Sequence, residues 1–282
     1  FLLLLHGGAF GLDGVCSNVF AWELILPGLA AHYRVIAPEL AGQGRTGCGH
    51  LSAESLVSHA KAVVEHFGIK RFHVVGHDEG ALVAFQLAFD LPQRVLSCLI
   101  AGGPAITPSS ESVPNELLSF PPAEAFSAER QHWIAARKSA QPLHLAQGRY
   151  FAEAVEIGQS EGIAALRERL SGQGGLAALR KSFLAMKSRT FGRFHQGFPV
   201  PCLLIWGLED RLTPWAHART LFDLIAARQP HTEMRLINGS GNLTFRESPA
   251  AFNAAAIAFM DAIEAQERAR PGAGHPEIGV HS

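Results

Sequence analysis

The chain has 282 residues, 48% of them hydrophobic, which suffices for one large core with a smaller attached unit. Its formal net charge of −1, with Lys and Arg dispersed along the sequence, provides no electrostatic basis for binding nucleic acid or an anionic membrane. Four cysteines, Cys16, Cys48, Cys98 and Cys202, have no metal-ligand spacing and suit a reducing cytoplasm.

The first apolar run, Phe1 to Leu5, reads as a strand and is far too short for a membrane span or signal peptide. A second strand is predicted at Arg34 to Ala37. A helix follows, N-capped by Ser52, with Leu56, Ala60, Val63, Val64 and Phe67 on one face and Gly68 as its stop. Phe72 to Val75, Val95 to Ile100 and Cys202 to Trp206 are further short runs, almost wholly apolar. Continuous apolar strands imply burial on both faces, as in a parallel sheet covered by helices. The stretch from about Pro104 to Pro199 interrupts the alternation. It opens on a Pro/Ser-rich linker, Pro108 to Pro114, and continues with helical patterns at Ala123 to Ser139, Leu145 to Ile157 and Leu176 to Met186. Thr213 and Pro214 fit the N-cap and first position of a later helix. The expected organisation is an α/β core over 1–104 and 199–267, a helical cap over 105–198, and a flexible tail over 268–282.

Between the strand ending at Val75 and the helical run Ala81 to Phe89 lies Gly76-His77-Asp78-Glu79-Gly80. A glycine on each side of a reactive residue, in a sharp strand-to-helix turn, is the pattern of a nucleophile elbow. The strained turn tolerates little bulk nearby, which Gly76 and Gly80 satisfy. The central residue is Asp78, and a carboxylate nucleophile attacks carbon to leave an ester on the enzyme.

Five blocks in order resemble the α/β-hydrolase superfamily from Phe1 to about Glu264. They are Phe1 to Gly8, Pro38 to Thr46, the elbow, Leu203 to Pro214, and Glu247-Ser248-Pro249 with Phe252-Asn253. The resemblance implies a mostly parallel, doubly covered sheet with a helical cap at the insertion. It also implies two further strands before Phe1, which this sequence lacks. Within the superfamily the aspartate elbow resembles epoxide hydrolases and dehalogenases, whereas the His6-Gly7-Gly8 opening looks more like carbon–carbon bond hydrolases of ring-cleavage products. By the same resemblance the backbone N–H groups of Gly8 and Glu79 form the oxyanion hole, and Asp210 is the acid that orients the base. Where relatives of this kind carry Trp or Arg after the nucleophile, this chain has Glu79, which argues against dehalogenation of haloacids.

One block departs from the pattern. The position of the superfamily's catalytic His holds Asn242, in Gly241-Asn242, and no His lies between His231 and His275. An amide donates and accepts hydrogen bonds but takes no proton from water near neutral pH. Asp210 is then free to bond the Asn242 amide. Among substitute bases, His77 is expected to pack away from substrate and His6 to support the oxyanion loop, while His132, His144 and His195 lie in or beside the cap. His132, Trp133 and Tyr150 are the candidate substrate-binding residues. Tyr150 is the cap's one tyrosine, where epoxide hydrolases use a pair.

The expected activity is that of an epoxide hydrolase-like enzyme in which Asp78 attacks an electrophilic carbon of a small organic substrate, with release slowed by Asn242. The alternatives are a lyase, isomerase or cyclase using Asp78 as general base, and a silent ligand-binding protein. No cofactor or metal is called for. A homodimer is allowed by the sequence but not specified.

Overall fold

The structure is a computed structural model that describes residues 1–8, 17–47, 50–108, 127–172 and 174–269. Its centre is a six-stranded, wholly parallel sheet: β1 (Leu2–Leu5), β2 (Val35–Ile36), β3 (Phe72–Gly76), β4 (Val95–Ile100), β5 (Cys202–Gly207) and β6 (Thr232–Ile237), in the order β2-β1-β3-β4-β5-β6. Side chains alternate across each strand. Leu3, Leu5, Val74, Cys98, Ile100 and Leu204 therefore point to one layer, with α2 (Ala53–His66), α3 (Glu79–Asp90) and α8 (Trp215–Ala226). Leu2, Leu4, Val75, Leu99, Leu203 and Ile205 point to the other, with α1 (Leu26–Ala30) and α10 (Pro249–Ala269). Both sets are buried, and each such side chain contributes about 1.5–3 kcal/mol by leaving water.

Local chemistry sets the helix ends. Ser52 caps α2 in a reciprocal capping box: Ser55 N–H donates to Ser52 Oγ, and Ser52 N–H to Ser55 Oγ. Leu56, Ala60 and Val64 are buried as their helical spacing requires, but Phe67 is 50% exposed. The last turn of α2 has passed the edge of the layer, so Phe67 does not belong to the apolar face assigned to it. Thr213-Pro214 is displaced by one residue from expectation: Pro214 is the N-cap and α8 begins at Trp215. Strand β6, with half of its length polar, has no clear apolar run because it is an edge strand with both faces partly exposed.

Between β4 and β5 lie α4 (Ala128–Lys138), α5 (Tyr150–Gly158), α6 (Glu161–Ser171) and α7 (Gly175–Phe194). Expected helix residues 123–126 and the 109–114 part of the linker fall outside the described residues. The turn of 3-10 helix Pro142–Ala146 replaces the start of the helix expected from Leu145, and α7 runs eight residues beyond Met186. Met186 and Phe194 anchor α7 in the same layer as α2 and α3. Among the described residues no helix is long and apolar enough to cross a membrane.

Strand register aligns the functional loops. Leu5 pairs with Gly76, Gly76 with Ile100, and Gly207 with Ile237. The loops after β1, β3, β4, β5 and β6 thus emerge at one sheet edge, where parallel α/β sheets place their ligand sites.

Candidate active site

Asp78 sits between β3 and α3 at φ 53°, ψ −118°, the one non-glycine residue of positive φ among the described residues. Such a conformation costs of order 1–3 kcal/mol and persists where the surroundings over-determine it. Here they do. Asp78 N–H donates to Gly102 O at 3.0 Å, and Asp78 O accepts from Ala81 N–H at 3.0 Å. A Cβ on Gly80 would collide with Leu5 O, and one on Gly103 with Asp78 Cα. Neither position admits a larger residue without moving the elbow.

The Asp78 carboxylate is buried, and Oδ1 accepts the Ala105 N–H at 2.9 Å. Burial raises its pKa above the ordinary carboxylate value, against the opposing pull of Lys138, the Ala105 amide, a hydrogen bond with the Glu79 side chain, and Lys187. It lines a small cavity of about 20 Å³, whose walls include Ile134, Ala135, Leu243 and Phe245, with Lys138, Tyr150, Ser17 and His77 as polar groups.

Asp210 follows β5. Its Oδ1 accepts from Leu212 N–H (2.9 Å) and Thr213 N–H (2.8 Å), and its Oδ2 from Asn242 Nδ2 (3.0 Å). Burial pushes its pKa up to about 6. Asn242 is buried. Its Oδ1 lies 3.3 Å from His77 Nε2, and its N–H donates to Lys138 O at 2.9 Å. The three side chains thus form a line, Asp210–Asn242–His77. His77 was expected to pack away from substrate. It lines the cavity instead, because Phe245 backs the ring edge-to-face at 5.0 Å and Asn242 holds its Nε2. Burial, with Lys138 nearby, lowers its pKa to about 3.

The oxyanion hole departs from expectation. Gly8 N–H donates to Glu79 Oε2 at 2.8 Å. The side chain that looked anomalous in the sequence reaches back from the first residue of α3 and takes the donor that the backbone pattern had assigned to substrate.

The substrate-binding assignments divide. Tyr150 is buried at the cavity, its OH 3.4 Å from Ser17 Oγ and the Arg246 guanidinium over its ring. Arg246 is itself buried and donates to Phe20 O, Glu23 and Gln147 O, which fixes the wall carrying Tyr150. His132 and Trp133 do not line the cavity. Helix α4 turns Ile134, Ala135 and Lys138 inward at i, i+1, i+4 spacing, which leaves His132 exposed and puts Trp133 under Arg137 at 4.0 Å. Nor do the other outer histidines reach it: His144 is buried against Ser139 (2.7 Å) and His195 is exposed. His6 is buried beside the Gly7 carbonyl, where burial lowers its pKa.

Sequence reasoning missed Lys138, Ser17 and Glu247. Glu247 accepts N–H groups from Ala140 (2.7 Å), Gln141 (3.1 Å) and Gly241 (3.0 Å). It therefore fastens the end of α4, and with it Lys138, to the loop carrying Asn242. No short-range signal marks that long-range bond. Among the described residues no cluster of His, Cys, Asp and Glu is placed to hold a metal ion.

Known proteins share this architecture. A family model described as "Alpha/beta hydrolase family" matches residues 2–255. The 2-hydroxymuconate semialdehyde hydrolase of Pseudomonas sp. (strain CF600) is 28% identical over 236 residues, covering 82% of this chain and 77% of its own. The fluoroacetate dehalogenase of Burkholderia sp. is 31% identical over 106 residues, covering 35% of this chain and 33% of its own. Among solved structures, a serine hydrolase from the polyaromatic hydrocarbon-degrading bacterium Cycloclasticus zankles superposes with TM-score 0.71 at 21% identity, covering 93% of this chain and 90% of the other. The meta-cleavage product hydrolase of Pseudomonas fluorescens IP01 superposes with TM-score 0.70 at 20% identity, with the same coverages of 93% and 90%.

Proposed function

Because this chain belongs to the alpha/beta hydrolase family, whose model it matches from residue 2 to residue 255, we propose that it is an epoxide hydrolase-like enzyme whose nucleophile is Asp78. The observation that carries this reading is the strained Asp78 backbone, held by the elbow at the floor of the cavity. Attack by the carboxylate on an electrophilic carbon opens the carbon–oxygen bond and leaves an ester on Asp78. Tyr150 OH and the Lys138 ammonium stand at the same cavity to donate to the oxygen that gains charge. The apolar walls, Ile134, Ala135, Leu243 and Phe245, favour a small organic substrate. Helices α4 to α7 are assigned as the cap over this cavity. The buried free thiols Cys98 and Cys202 support a cytoplasmic location.

Release of the ester is expected to be slow. Asn242 is not a base, and the Gly8 N–H that would stabilise the tetrahedral oxyanion already serves Glu79. The test is mass spectrometry after incubation with an epoxide, a haloalkane and an activated ester. A stoichiometric adduct on Asp78, absent in Asp78→Asn, is the expected result; turnover of any of the three with no adduct and no exchange of Asp78 oxygen would refute it.

The second reading, general-base catalysis by Asp78 in a lyase, isomerase or cyclase, is favoured by two observations. Burial raises the Asp78 pKa, as proton abstraction requires, and the occupied Gly8 donor matters less where no oxyanion forms. It predicts full turnover without an adduct, and no gain from Asn242→His.

A further inference from the structure

We propose that His77, held by Asn242, is the base that activates water for release of the Asp78 ester. This rests on Asp78 acting as the nucleophile. The direction of the Asp210–Asn242–His77 line fixes the tautomer of His77. Asp210 Oδ1 already accepts two backbone N–H groups, and Oδ2, ionised above about pH 6, can only accept. The Asn242 group facing it at 3.0 Å is therefore the NH₂, and Oδ1 faces His77. A carbonyl oxygen can only accept, so His77 carries its proton on Nε2 and presents a bare lone pair at Nδ1. Asn242 holds the ring through its backbone as well as its side chain. Asn242 thus does for His77 what an acid does for a conventional catalytic histidine: it sets tautomer and ring orientation. The ring lines the cavity beside the residue that would carry the ester.

The step balances without a co-reactant. A water gives one proton to Nδ1 as its oxygen bonds to Asp78 Cγ. The tetrahedral intermediate expels the alkoxide, which recovers that proton from the imidazolium and leaves as an alcohol. Asp78 regains its acid and ionises. The charged groups around the ring are Lys138 from α4, His6 from the loop after β1, and Asp78 itself; Phe245 faces it from α9 (Thr244–Glu247) and is apolar. Burial and Lys138 keep the ring unprotonated across neutral pH, which makes it a weak base that is always available. Release through His77 is therefore slow but flat from pH 7 to 9, where Asp210 stays ionised. Release by hydroxide would rise tenfold per pH unit.

The experiment follows formation and decay of the Asp78 adduct with styrene oxide, in H₂¹⁸O, for the full chain and for His77→Gln and Asn242→Leu. In the unsubstituted chain ¹⁸O should enter the Asp78 carboxylate, at a release rate independent of pH between 7 and 9. His77→Gln should still form the adduct but release it at least about tenfold more slowly, the low end expected for a base of weak driving force. Asn242→Leu should slow release likewise. Nitrogen-15 shifts should show the Nε2–H tautomer of His77 in the unsubstituted chain and a mixture in Asn242→Leu. Adduct formation in both variants shows that the site is folded. Undiminished release in His77→Gln, a hydroxide-like slope, or an Nδ1–H tautomer would overturn the proposal while leaving the nucleophile intact. No adduct and no ¹⁸O in Asp78 of the unsubstituted chain would overturn the nucleophile itself.

Discussion

Replacing Asp210 by Asn removes a carboxyl whose pKa stands at about 6 in the fold against a reference of 3.8. The difference is about 2 units, and one unit corresponds to about 1.36 kcal/mol, so the folded state favours the protonated acid by about 3 kcal/mol. For an acid with a raised folded pKa, this stabilisation is fully present below 3.8 and is lost as pH rises through about 6. The physical reason is that burial outweighs the three hydrogen bonds Asp210 accepts from Leu212, Thr213 and Asn242. The amide of Asp210→Asn has no charge to bury. Unfolding free energies from urea titrations of both proteins should therefore diverge with pH. The variant should gain about 2–3 kcal/mol on the unsubstituted protein between pH 4 and 7 and hold that gain above pH 7. Any constant offset reports repacking of the amide against Asn242 and does not enter the slope. A difference independent of pH would refute the reasoning, and would mean that Asp210 is solvated or paired well enough to ionise normally.

Two further outcomes address the chemistry. Asn242→His should raise turnover of an epoxide by up to about 10²–10⁴-fold, because an imidazole bonded to Asp210 is a far stronger base for the release step than His77, whose pKa is lowered to about 3; steady-state rates that do not rise would favour the general-base or binding readings. Glu79→Ala should release the Gly8 N–H and speed ester release, with an oxyanion donor worth about 10²–10³-fold where the rest of the hole is assembled. Rapid-quench measurement of adduct decay checks it, and an unchanged decay would show that Gly8 is not an oxyanion donor here.

The sheet was legible because its strands advertise themselves. Leu2–Leu5, Phe72–Gly76, Val95–Ile100 and Cys202–Gly207 are buried on both faces, and burial on both faces demands an unbroken apolar run. The elbow was legible for a similar reason: the conformation of Asp78 tolerates only glycine at 76 and 80, so steric necessity is written into neighbouring letters. The capping box at Ser52 is likewise local. What the sequence did not disclose depends on residues far apart in the chain. Glu79 occupies Gly8 across 71 positions, Glu247 holds the end of α4 across more than 100, and His77 meets Asn242 across 165. Which face of α4 turns inward, and so whether Trp133 or Lys138 meets the cavity, is decided by the loop on which that helix rests. Hydrogen bonds of this kind leave no periodicity, since one donor and one acceptor satisfy each other wherever the fold brings them. The order of sheet, turn and helix therefore followed from local sterics and burial, whereas the occupied oxyanion donor and the Asp210–Asn242–His77 line arose only when parallel strands delivered five loops to one edge.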